Sequence, residues 1–331
     1  MRVLGRATVG VLLLAVAACS SDAPAADAPA GPAPTTAAAR LSGAEVRTLA
    51  GTGEAPFDQA RRLRVPPGST DTVSARVPGA RLLAWSPDKR LLVSRPKSGD
   101  IVELVPGPGD SPPAQRTLAD GLNQPHGLAF AGDTLYVAES DRVDAFTYRA
   151  GALSGRRVVV DGLPDAKSPE LGGAYAHALK SVAVGEDGAL YVSVGSTGNV
   201  SAEDRDATPE RASILRVAPG GKAETFARGV RNGTGLAIDP DGAVWTAVNN
   251  RDNIAYPYDG DDKGKVFQEY VNDHPLEPLA KLTQGRDLGW PYCNPDPDVR
   301  PGDKDSPLSY TNRPFVPDLQ LNPGGAELDC S

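Results

Sequence analysis

The chain has 331 residues, and Gly (36) and Pro (31) together account for one residue in five, which excludes a protein built of long helices. Hydrophobic residues make up 40% and aromatic residues 5%, and the length is sufficient for one large domain or two small ones. The net charge of −8 has the wrong sign for a protein that holds nucleic acid through its phosphates. We therefore expect a neutral or polar soluble ligand and no nucleic-acid partner.

The N-terminus has the pattern of an export signal. Arg2 and Arg6 precede an apolar run over residues 9–18, which is about half the length that crosses a bilayer. The run ends in VAAC, which resembles the bacterial lipoprotein box, so residues 1–18 are predicted to be a lipoprotein signal peptide and Cys19 the lipidated residue. Ordinary secretion is the alternative. Either way we expect an exported protein on the periplasmic or extracellular face, held at the membrane through its lipid anchor only.

Residues 19–40 are rich in Ala, Pro and Thr and have no apolar periodicity. This composition is typical of a disordered tether. The remaining 291 residues, 41–331, are predicted to form the folded domain.

One pattern of short strands recurs four times in that domain. Each copy has an apolar triplet, a Gly/Asp/Pro turn and a second apolar strand, and the central residues of the triplets lie 45, 54 and 54 residues apart: Ala84, Ala129, Ala183 and Ala237. The Asp-Gly pairs at 187–188 and 241–242 are typical of hairpin turns. A β-sandwich has no reason to repeat its sequence in this way, so the repeat predicts an all-β protein, a β-propeller.

Five segments make the chain resemble a known family: LNQPHGLAF, HALKSVAVGEDGALYVSVGS, RASILRV, GVRNGTGLAIDPDG and GRDLGWPYC. They are similar to segments of the soluble sugar dehydrogenases that depend on pyrroloquinoline quinone (PQQ), the glucose and sorbosone dehydrogenase-like family of six-bladed propellers. The resemblance implies that an aldose or a sugar aldehyde is oxidised by hydride transfer to PQQ, with calcium as a second cofactor. It names no electron acceptor.

The resemblance also assigns roles to residues. His177 matches the general base of the family, and Arg231 and Asn232 match a pair beside the quinone carbonyls. Trp290 matches a residue that lines the quinone pocket. His126 either faces the central channel as a cofactor-binding residue or hydrogen-bonds across to the next blade.

Two positions depart from the glucose enzymes of the family. Ser196 stands where those enzymes have an Asp that orients the base, and Leu288 stands where they have a Tyr. These departures favour the sorbosone-type or an uncharacterised branch, and they predict that His177 lacks an orienting partner.

Calcium and disulfide assignments complete the predicted site. In the family, calcium is bound partly by backbone carbonyls of the loop after the fourth repeat's second strand, here at Asn250 and Arg251. In an oxidising compartment, Cys293 and Cys330 are expected to form a disulfide.

The chain is short for a six-bladed plan. We expect about four complete blades and a partial one, with the C-terminal blades missing from a truncated chain and the affinity for PQQ lowered accordingly. A non-catalytic ligand-binding propeller lipoprotein and a calcium-dependent sugar lactonase remain as alternatives.

Overall fold

A computed structural model describes residues 41–273, 277–295 and 315–330. Two short strand pairs precede the repeats: β1 (Ser42–Glu45) is antiparallel to β3 (Arg62–Val65), and β2 (Arg47–Thr48) is parallel to β4 (Thr72–Val73).

The repeats fold into four consecutive sheets, which we number as blades one to four. Blade one contains β5 (Leu83–Trp85), β6 (Leu91–Arg95), β7 (Asp100–Val105) and β8 (Ala114–Ala119). Blade two contains β9 (Leu128–Ala131), β10 (Thr134–Ala138), β11 (Val143–Arg149) and β12 (Ala152–Val160). Blade three contains β13 (Val182–Val184), β14 (Leu190–Val194), β15 (Ser213–Val217) and β16 (Ala223–Arg228). Blade four contains β17 (Gly235–Ile238), β18 (Val244–Ala247) and β19 (Leu279–Leu282).

Within each blade, consecutive strands pair as antiparallel neighbours. The first strands of adjacent blades are in contact, β5 with β9, β9 with β13 and β13 with β17. This arrangement of meanders around a common axis confirms the predicted all-β propeller. Blade three is extended by β20 (Arg286–Asp287), which runs parallel to β16, and a further pair follows from β21 (Cys293–Pro295) and β22 (Phe315–Pro317).

The core lies between the blades rather than at a single centre. Blades two and three bury a shared aliphatic cluster that includes Val143, Val160, Val192 and Leu215. A second cluster joins blades one and two, and a third joins blades three and four. Because each strand presents alternate residues to the two blade faces, this packing explains the repeated apolar triplets of the sequence.

In the part of the chain that the structure describes, helices are few and short. One α-helix, α1 (Gln268–Asp273), lies between β18 and β19, and single 3₁₀ turns occupy Pro169–Leu171 and Glu203–Asp206. None of the helices in the described ranges has the length and apolar character that spanning a membrane requires.

Candidate active site

His177 is held by the loop that follows the second strand of its own blade. It precedes β13, and Ser196 follows β14, so antiparallel pairing of these strands brings the two residues to the same edge of blade three. The Nδ1 atom of His177 lies 2.7 Å from the backbone carbonyl oxygen of Ser196. Because a carbonyl can only accept, Nδ1 carries the proton and Nε2 carries the lone pair. Nε2 has no hydrogen-bond partner in the described part of the chain.

This bond overturns one expectation from the sequence. Ser196 was expected to leave His177 without an orienting partner, and that is wrong, because the main chain of Ser196 orients the ring whatever the side chain is. Burial lowers the pKa of His177 and is the largest effect; the hydrogen bond to the Ser196 carbonyl opposes it, the positive charge of Arg231 adds to the lowering, and the charge of Asp204 is the smallest effect and raises the pKa. The imidazole is therefore neutral at neutral pH and able to accept a proton.

Arg231 and Asn232 approach the same loop from the turn between β16 and β17. The backbone N–H of Ser196 donates to the carbonyl of Arg231 at 2.7 Å. A Cβ added at Gly195 would lie 2.5 Å from the Cβ of His177 and 3.0 Å from Oδ1 of Asn232. His177, Arg231 and Asn232 thus lie close together around Gly195, where a side chain would collide with His177.

The guanidinium of Arg231 is a buried cation whose hydrogen-bond acceptors are neutral oxygens. The residue is 5% exposed, and its N–H groups donate to the carbonyls of Asn249 (2.9 Å) and Asn250 (2.8 Å) and to the side-chain oxygen of Asn199 (2.8 Å). Within residues 41–273, 277–295 and 315–330, no carboxylate forms an ion pair with it. Burial lowers the pKa of Arg231 to about 10, which still leaves it protonated at neutral pH. The site consequently has a positive charge available to an anionic or electron-rich ligand.

Trp290 packs against that cation. The centre of its ring lies 5.4 Å from the guanidinium carbon of Arg231, and both residues line a narrow crevice together with Asn250 and Leu288. Trp290 is 2% exposed, and its indole N–H has no acceptor among the residues that the structure places. A buried donor without a partner costs free energy and marks a place where a ligand acceptor can bind.

His126 lies at a blade junction. It is 2% exposed, and its Nδ1 is 3.0 Å from the carbonyl oxygen of Lys180. Its backbone N–H donates to the carbonyl of Ala138. The ring therefore bonds across from blade two to the chain entering blade three, as one of the two predicted interpretations requires. A cofactor-binding role for His126 stays a prediction.

One of the two predicted calcium ligands, the backbone carbonyl of Asn250, accepts a hydrogen bond from a cation of the protein. The carbonyls of Asn249 and Asn250 accept hydrogen bonds from Arg231, and the side chain of Arg251 forms a buried ion pair with Asp318 at 2.7 Å. The described residues contain no group of three or more His, Cys, Asp or Glu side chains that could hold a metal ion. Calcium binding at Asn250 and Arg251 stays a prediction, and at Asn250 the ion would share its carbonyl oxygen with the guanidinium of Arg231.

A disulfide joins Cys293 to Cys330 across 37 residues. It fixes the end of the turn that carries Trp290, since the backbone N–H of Cys293 donates to the carbonyl of Gly289. Cys19, the predicted lipidation site, lies outside the described residues.

Asp204 is the residue of this region that sequence reasoning missed. It is fully buried and accepts hydrogen bonds from the side chains of Ser196 (2.5 Å) and Thr197 (2.6 Å) while pairing with Arg211 (2.8 Å). In the sequence it stands in the charged run EDRD, which is typical of an exposed turn, so no signal distinguished it.

Comparison with known proteins identifies the group to which this propeller belongs. Residues 69–309 match the TrAA12-like family, and the chain belongs to that family. The resemblance predicted from the sequence is thereby confirmed at the level of family and fold.

Solved structures share the fold at low sequence identity. The chain is similar to the PQQ domain of pyranose dehydrogenase from Coprinopsis cinerea in its holo form (TM-score 0.57, 17% identity, 70% of this chain and 58% of that one). It is also similar to a Trichoderma reesei enzyme of carbohydrate-active enzyme family AA12, in an iodide structure (TM-score 0.57, 21% identity, 76% and 65%) and in a calcium structure (TM-score 0.53, 22% identity, 67% and 58%). The chain thus spans 58% to 65% of the length of these proteins. A search of curated protein sequences finds no match.

Proposed function

We propose that the protein oxidises a sugar by hydride transfer to PQQ, with His177 as the general base. The observation that carries the proposal is the 2.7 Å bond from Nδ1 of His177 to the Ser196 carbonyl, which leaves Nε2 as a proton acceptor beside Arg231 and Asn232. Support also comes from the TrAA12-like family and from the pyranose dehydrogenase PQQ domain, which has the same fold.

The donor set suits a planar, electron-rich and anionic quinone. Arg231 offers a buried positive charge that forms no ion pair with a carboxylate of the described residues, and Trp290 offers a flat ring with an unused N–H. Asn232 adds an amide at the edge nearest His177. When bound, PQQ would supply the acceptor for a hydride from the sugar.

His177 would accept the proton that the sugar releases, and Arg231 would stabilise the negative charge that develops. As the carbon of the sugar that bears the hydroxyl loses its hydride, Nε2 of His177 removes the proton of that hydroxyl, and an aldose leaves as a lactone. The Ser196 carbonyl stabilises the Nδ1–H of the imidazolium that forms. Arg231 keeps its charge throughout, so it disfavours a protonated His177 before the reaction and attracts the oxygens that gain electron density during it.

Finer assignments are part of the same proposal. Leu288 is buried in the wall of the crevice, where the glucose enzymes that the sequence resembles have a Tyr, and this favours a sugar that needs no hydroxyl partner there. Sorbosone-like sugar aldehydes are therefore candidates beside aldoses. The pattern of residues 1–19 supports export as a lipoprotein.

Binding and turnover should be measured separately on the full chain. PQQ is titrated into the purified protein while tryptophan fluorescence is followed, and dye reduction is then measured with aldoses and sugar aldehydes, with and without calcium. We expect His177→Gln to bind PQQ as the wild type does and to lose turnover by about 10²- to 10⁴-fold.

Two results would count against the proposal. If PQQ binds and no sugar reduces the dye, the protein is a ligand-binding propeller rather than an oxidase of sugars. If PQQ does not bind at all, the assignment of the site is wrong.

A further inference from the structure

We propose that Asp204 is the positioning residue of this site, which sets the tautomer of His177 through Ser196. The proposed function is needed only for the catalytic consequence, because the positioning itself is a property of the protein without PQQ.

The carboxylate of Asp204 accepts hydrogen bonds from the loop formed by Gly195, Ser196 and Thr197. Its Oδ2 accepts from the hydroxyl of Ser196 at 2.5 Å and from the backbone N–H of Thr197 at 3.1 Å. Its Oδ1 accepts from the hydroxyl of Thr197 at 2.6 Å and from Nε of Arg211 at 2.8 Å. The carboxylate therefore fixes both side chains of the loop and one of its backbone groups.

The loop transmits this restraint to the reactive groups. The carbonyl of Ser196 accepts from His177 at 2.7 Å, and its N–H donates to the carbonyl of Arg231 at 2.7 Å. The loop is held by a further hydrogen bond from the buried Tyr175, whose hydroxyl donates to the carbonyl of Gly195 at 2.9 Å. The peptide groups of one short loop thus connect Asp204 to both His177 and Arg231.

The charge of Asp204, and not only its size, is required. Each of its oxygens accepts from at least two donors, so an amide at this position turns an NH₂ group toward donors on one side. The negative charge also favours the imidazolium form of His177 and raises its pKa, opposing Arg231. Charge-assisted bonds in a fully buried place are the strongest of their kind, which makes this loop a rigid support.

Imidazole NMR reads the tautomer directly. The chain contains only three His residues, so ¹⁵N-detected spectra of the PQQ-free full chain can be assigned with His177→Gln as a reference. We expect the wild type to show a protonated Nδ1 and an unprotonated Nε2 in His177. In Asp204→Asn the Nε2 signal should move toward that of a protonated nitrogen, and the pKa of His177 should fall.

Asp144→Asn is the matched control. Asp144 is equally buried and pairs with Arg156 at 2.6 Å, but it lies in blade two and has no contact with the loop. Its substitution should leave the His177 signals unchanged. If Asp204→Asn does not fold, Ser196→Ala removes the link to the carboxylate while keeping the backbone, and should shift Nε2 in the same direction by less.

The outcomes separate the two proposals. A His177 that is protonated at Nε2 in the wild type, or that keeps its tautomer in both loop variants, overturns the positioning role. The expected shifts in a protein that binds no PQQ would leave the positioning role standing and overturn the proposed function alone.

Discussion

Nη1 of Arg231 donates to the carbonyl oxygen of Asn250 at 2.8 Å, so a side chain of the protein binds the backbone oxygen that the sequence assigned to calcium. A backbone carbonyl oxygen has two lone pairs, and the guanidinium occupies one of them at Asn250. Arg231 therefore supplies a positive charge to this site from the protein itself.

Arg231→Lys tests whether the planar fork matters beyond the charge. Lysine keeps the positive charge but cannot reach the oxygens of Asn199, Asn249 and Asn250 together, so buried oxygens lose their donors. We expect the free energy of unfolding in urea to fall by about 2 kcal/mol. Arg216→Lys, at an exposed pair with Asp187, should change it by less than about 0.5 kcal/mol. Equal effects of the two variants would show that the fork of Arg231 contributes nothing.

Gly195→Ala tests the contact between His177 and Asn232. The new Cβ would lie 2.5 Å from the Cβ of His177, which is closer than atoms can approach, so the loop or the imidazole must move. We expect a loss of about 1 to 3 kcal/mol in thermal unfolding and a shifted Cε1–H resonance of His177. Gly198→Ala is the control, because the nearest atom to its Cβ is a carbonyl oxygen 4.0 Å away. A stable Gly195→Ala with an unmoved resonance would contradict the geometry described above.

The fold was largely predictable because the information is local. Each hairpin is encoded by alternating apolar residues and by turns such as Asp187-Gly188, where Gly188 has a positive φ of 76°. The parallel pairing of β20 with β16 was not predictable, since Arg286 and Asp287 form too short a strand to give a period and meet Ala227 and Arg228 only through the closed fold.

The site was predictable only where a motif carried it. His177, Arg231 and Asn232 were found from their motifs, and the structure brings them together. The carbonyls that hold His177 and Arg231 were not predictable, because any residue supplies a backbone oxygen.

The pKa of His177 should respond to the charge of Arg231. Burial and this charge both lower the pKa, so we expect a titration midpoint below the ordinary value of about 6.5. Arg231→Leu removes a positive neighbour that disfavours the imidazolium, and should raise the midpoint, whereas Arg231→Lys should change it less. The acid limb of kcat/KM should follow the same order. NMR titration of the Cε1–H signal measures the midpoints, and a lower midpoint in Arg231→Leu would refute the assigned electrostatics.

Lys180 should make the stability of the protein depend on alkaline pH. It is fully buried, its Nζ donates to the carbonyls of Pro164 (2.9 Å) and Ala178 (2.6 Å), and it lies 4.7 Å from the ring centre of Tyr175. Of the described carboxylates, none is within ion-pair distance of Lys180. Burial lowers its pKa to about 7, against the weaker opposing charges of Asp165 and Asp141.

The sign of the effect follows from proton counting. Lysine in the unfolded chain has a pKa of about 10.4, so between about pH 7 and that value the unfolded state binds more protons than the folded state, and stability rises with pH. The slope can reach about 1.4 kcal/mol per pH unit and should appear in urea unfolding followed from about pH 7 to about pH 9. Lys180→Met should abolish this rise, and Lys222→Met, at an exposed position, should retain it. A wild-type stability that stays flat over this range would mean that the buried ammonium keeps its proton, and that the carbonyls of Pro164 and Ala178 compensate its burial.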